Sequence, residues 1–90
     1  MGMIVVHHKV KDFAAWKQSF DAHAPVRKAA GLARAHVLQA VDDPNAVTVL
    51  LDFTDADKAK AFGGSDELKA RMKSAGVIGE PEIHLLNKVT

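Results

Sequence analysis

From Met3 to Val10 the chain reads MIVVHHKV, apolar and β-branched with no breaker, and this predicts a first strand. The period then changes. Phe13, Trp16, Phe20 and Ala24 recur at helical spacing behind Asp12, whose carboxylate suits an N-cap, so a first helix is expected. Pro25 lacks the N–H that would bond back to Asp21, so this helix should kink there or stop and restart, and Gly31 should end it. A second strand is expected over Ala33–Val41 and a third over Val47–Phe53, joined by the turn residues Asp42-Asp43-Pro44-Asn45. Thr54 or Asp55 should cap a second helix carrying Ala59 and Phe62, which Gly63-Gly64 breaks. Ser65 then caps a further segment whose buried face is Leu68, Met72 and Ala75, ending at Gly76. Past Gly79 and Pro81, a fourth strand is expected over Ile83–Val89.

Strand, helix, hairpin, helix, strand is the β-α-β-β-α-β order of a ferredoxin-like α+β domain. It predicts an antiparallel four-stranded sheet with strands one and three central, four and two at the edges, and both helices on one face. Two helices cover one face only, yet both faces carry apolar residues. Leu50 opposes Val47, Val49, Leu51 and Phe53; Met3 and Val5 oppose Ile4, Val6 and Val10; Leu86 opposes Ile83 and Leu85. An open apolar face of several hundred Å² is rare in soluble monomers. A homodimer formed through that sheet face is therefore expected.

Composition narrows the partners. The 90 residues suit one domain, 1–90, and 48% hydrophobic with 26% charged residues is globular. No apolar run reaches the length of a membrane span, and no signal-peptide pattern precedes the first strand. A net charge of +1 with interspersed signs gives no basic stripe for a phosphate backbone, so neither nucleic acid nor membrane is an expected partner. There is no cysteine, which removes disulfides, thiolate nucleophiles and Cys-based zinc sites, and fits a reducing cytoplasm.

The segments MIVVHHKVKDFAAW, FDAHAPVRKAAGL, DDPNAVTVLLDF and KARMKSAGVIGEPEIHLL together resemble the dimeric α/β-barrel superfamily. Within it they are similar to the short bacterial antibiotic-biosynthesis-monooxygenase-like proteins, some called cyclases. The resemblance implies two sheets meeting in a barrel, a ligand cavity between each sheet and its own helices, and cofactor-independent oxygenation of polycyclic phenols. Haem-degrading relatives place an Asn on strand one, a Trp on strand three and a His on helix two. Here strand one has His7 and His8, and the other two positions lack their residues. The quinone-forming oxygenases also use a tyrosine, which this chain lacks.

His23 and Arg27 are the candidate catalytic pair. One turn apart on the side of Phe13, Trp16 and Phe20, they can line a cavity, with His23 as base and Arg27 facing an anionic or enolate oxygen. The alternative is an edge pair whose arginine stem covers apolar surface. Trp16 and Phe20 are candidate ligand-binding walls, or simply core. Adjacent on a strand, His7 and His8 point to opposite faces and cannot share a metal; one should face the cavity, where His84 is also expected. No HxH or HExxH spacing suggests a metal, and no cofactor is expected. Asp52 reads as an ion-pair residue, and Ser19, Ser65 and Ser74 form no triad. Two functions follow: an oxygenase or cyclase-like enzyme acting on an aromatic or polyketide-type molecule, or a non-catalytic ligand-binding or accessory homodimer.

Overall fold

The computed structural model describes residues 2–87 and Val89, with Glu67 by its backbone only. Its elements are β1 (Gly2–Val10), α1 (Phe13–Ala22), α2 (Ala24–Ala29), β2 (Leu32–Ala40), β3 (Asp43–Phe53), α3 (Ala56–Gly63), α4 (Asp66–Ser74) and β4 (Val77–Asn87). The four strands form one antiparallel sheet in the order β2-β3-β1-β4, the ferredoxin-like arrangement expected from the pattern.

Local chemistry sets the helix limits. Asp12, Asp55 and Ser65 accept hydrogen bonds from the first-turn N–H groups of Ala15, Asp57 and Leu68. Pro25 divides the first helical region in two: α1 ends at His23, and the proline occupies the first turn of α2, where its missing N–H costs nothing. Gly31 takes φ of 99°, and its carbonyl accepts from the Thr54 N–H, tying the end of α2 to the start of α3. At Gly63 a Cβ would lie 3.0 Å from Leu85 Cδ2 and 3.3 Å from Ile4 Cδ1, so glycine lets α3 approach the sheet.

Strand limits depart furthest from expectation in β3 and β4. Asp43, Pro44 and Asn45 belong to β3, not to a loop; Asp43 pairs with Lys9, and Asn45 Oδ1 accepts from the Phe13 N–H, joining the hairpin to α1. β4 begins at Val77, because Val77 and Ile78 pair with Val10 and Lys9 before the ladder slips at Gly79–Pro81 and resumes at Glu82. It ends at Asn87; Lys88 lies outside the described residues and Val89 is not in a strand.

The register sorts the side chains. Ile4 is flanked by Leu51 and Leu85, and Val6 by Val49 and Ile83, on the face that the helices cover. The core is this face together with Val10, Val47 and Phe53, closed by Trp16, Ala59 and Met72. The opposite face carries the row His36–Leu50–Val5–His84 across all four strands, with Leu38–Thr48–His7–Glu82 beside it. On it Leu38, Ile78 and Leu86 remain about half exposed. Asp52 also faces this side, opposite Arg34 and Met3. Among the described residues no helix is long and apolar enough to cross a membrane.

Candidate functional site

The helices do not close fully onto the sheet. Between them lies a cavity of about 380 Å³, floored by Val6, Val49 and Leu51 and walled by side chains from all four helices. Space of this size is within the range of small-molecule sites, and so is a largely apolar lining with a few polar groups.

One wall is a continuous stack. The His8 ring meets Trp16 edge-on at 5.4 Å, Trp16 stacks on Phe20 at 5.0 Å, and the Arg27 guanidinium lies 3.6 Å from the Phe20 ring centre. The i, i+4 spacing of Trp16 and Phe20 on α1 builds the middle of the stack. The break at Pro25 then re-aims α2 so that Arg27 caps it, with the Arg27 N–H bonded to the His23 carbonyl. Arg27 is only 7% exposed, the one charged residue buried among the described ones. Its Nε has no hydrogen-bond partner among the described residues, and burial weakens its hold on the proton although Asp21 opposes the effect. A guanidinium stays charged even so.

His8 enters the cavity from β1 at the point where the β1–β4 ladder slips, between the pairs His7–Glu82 and Lys9–Ile78. Irregularities of this kind re-aim side chains next to functional sites. Burial lowers the His8 pKa below its ordinary value; its own backbone carbonyl opposes this, and His7 adds a smaller lowering. Neutral at physiological pH, the ring can accept a proton. The native state then binds fewer protons than the unfolded chain as pH falls below the ordinary histidine value. Stability is therefore full above about pH 6.5 and is lost below it. Thermal melts of wild type and His8→Asn between pH 8 and pH 5 should show the variant losing less stability on acidification. Parallel loss in both would remove this role from His8.

Of the residues singled out in the sequence, Trp16, Phe20, His23, Arg27 and His8 line this one cavity. The structure does not bring His7 and His84 to it. His7 and His84 stand opposite Thr48 and Val5 on the far face of the sheet, because successive strand residues alternate sides. There Thr48 Oγ1 and His7 Nδ1 lie 2.7 Å apart. Sequence reading missed Lys58, Phe62 and Arg71. The signal was present: Lys58 precedes Phe62 by four residues, and Arg71 follows Leu68 by three on the same stripe. Among the described residues no three His, Asp or Glu side chains converge as a metal site requires.

The sequence profile of the antibiotic biosynthesis monooxygenase family matches residues 3–74. No protein of curated function matches the chain. Among solved structures, a candidate antibiotic biosynthesis monooxygenase from Bordetella bronchiseptica superposes with a TM-score of 0.79 at 17% identity, covering 99% of this chain and 97% of that one. SnoaB, a cofactor-independent oxygenase from Streptomyces nogalater, gives 0.78 at 17% identity, over 99% and 93% of the two chains. A candidate monooxygenase of the same kind from Caulobacter crescentus CB15 gives 0.76 at 24% identity, over 99% and 90%. At such identities the superpositions establish a common fold; the profile match places the chain in the antibiotic biosynthesis monooxygenase family.

Proposed function

We propose that the protein is a cofactor-independent oxygenase acting on an aromatic or polyketide-type small molecule, and that residues 1–90 work as one domain within a cytoplasmic homodimer. The observation that carries this reading is the cavity: an apolar slot with a stacked aromatic wall, a neutral histidine at one end and, at the other, a guanidinium with no ion-pair partner among the described residues. Family membership and the fold shared with SnoaB support the oxygenase class. His23 or His8 removes a proton from an acidic ring position, and the cationic Arg27 end of the slot favours an anionic ligand. That electron-rich anion reacts with dioxygen; converting a ring methylene to a carbonyl consumes one O₂ and releases one water. The apolar face bearing Val5, Leu50 and Leu86 supports pairing of two subunits through their sheets.

Anthrone is a suitable model substrate, with oxygen uptake and anthraquinone absorbance as readouts. The wild type is expected to accelerate its oxidation, and His23→Ala to lower the rate about a hundredfold. No acceleration over buffer, with ligand binding unchanged in His23→Ala, would sink the catalytic reading. The same cavity also supports a binding protein without turnover, and melting shifts with anthrone but no oxygen uptake would select that function.

A further inference from the structure

We infer that Arg27 forms an anion subsite and that the ligand of this cavity carries a carboxylate on a flat apolar body. This deepens the aromatic-ligand reading above and rests on it. Arg27 is 7% exposed, its Nε is buried, and among the described residues its side chain makes no hydrogen bond or ion pair. Its guanidinium instead lies over the face of Phe20 at 3.6 Å. Asp21, whose charge reaches it, is instead held by Lys17 at 2.7 and 2.8 Å. Lys58 also lines the cavity, and no acidic residue does among the described ones. A guanidinium whose Nε is shut off from water, with no counter-charge among the described residues, costs the fold that holds it, so its placement calls for an anion from outside.

The form of that anion follows from the group that receives it. A guanidinium presents a planar fork that matches the two oxygens of a carboxylate. Phe20 holds the fork by its face, and the Phe20 ring continues into Trp16, so a flat ring system laid along the stack brings a substituent acid to Arg27. Arg27 on this account is a binding residue that orients the ligand, while the histidines face its other positions.

The discriminating probes are 2-naphthoate and 2-naphthamide, nearly identical in shape and different in charge, titrated by calorimetry into wild type, R27M and R27Q. Wild type should bind the acid about tenfold or more tightly than the amide, the size expected for a charge-assisted contact. In R27M and R27Q the two affinities should converge. R27M, which keeps an apolar stem and removes the stranded charge, should melt at or above the wild-type temperature; R27Q reads affinity even if R27M does not fold. Equal wild-type affinities, or an acid preference that survives R27Q, would overturn the anion subsite and leave the aromatic cavity standing. Failure of both probes to bind wild type would overturn both.

Discussion

Val5→Glu is expected to sediment as a folded monomer of 9.7 kDa, and the wild type, as the proposed homodimer, at twice that mass. Val5 lies in the middle of the uncovered sheet face, between Leu50 on β3 and His84 on β4, and points away from the helices. A carboxylate there therefore leaves the subunit core untouched and costs the isolated strand at most about 1 kcal/mol of propensity. At a twofold interface it enters twice, each copy withdrawn from water against apolar neighbours. Several kcal/mol per unpaired charge corresponds to dimer dissociation about a thousandfold easier or more. Val5→Thr, similar in shape and uncharged, should remain dimeric. A wild type that sediments only as the single subunit, without aggregation, would remove the dimer altogether. A Val5→Glu protein of wild-type mass would move the interface elsewhere.

Trp16→Ala is expected to lower the melting temperature by more than about 10 °C. Trp16 is 4% exposed and touches His8, Phe13 and Phe20, so its removal opens a void between α1 and the sheet as well as deleting apolar contact. Large-to-alanine changes at such positions cost about 3–5 kcal/mol, against a total of about 5–15 kcal/mol for a domain. For a domain of this length each kcal/mol moves the midpoint by about 4–8 °C. Circular dichroism is the suitable readout, since Trp16 is the only tryptophan. Trp16→Phe should recover most of the loss. A shift of under about 3 °C would mean that α1 does not depend on this residue for its packing, and the stacked wall would lose its basis.

The two halves of the candidate site were legible to different degrees. Trp16, Phe20, His23 and Arg27 lie within twelve residues, and helical spacing with a proline break was enough to put them on one side. What the spacing did not reveal is that Arg27 is buried with no ion-pair partner among the described residues; an arginine on an amphipathic stripe ordinarily extends its charged end into water. His84 shows the other limit. Its face depends on pairing with Val5 across a ladder that slips at Gly79–Pro81, and no feature near His84 encodes that register. The same slip hid the first part of β4, where glycine and proline read as a loop while Val77 and Ile78 still paired with β1.

Sequence by itself determined the order of strands and helices, the restarts at Pro25 and Ser65, and the presence of apolar residues on both sides of the sheet. Each depends on a residue and its near neighbours: a missing N–H, a capping oxygen, an alternation of side chains. Tertiary structure decided which of the strand histidines joins His23 and Arg27 at the cavity, how deeply Arg27 is buried, and how much space the helices leave above Val6 and Val49. Those outcomes depend on contacts between segments far apart in the chain, where strand register and helix approach are fixed by the packing of the whole.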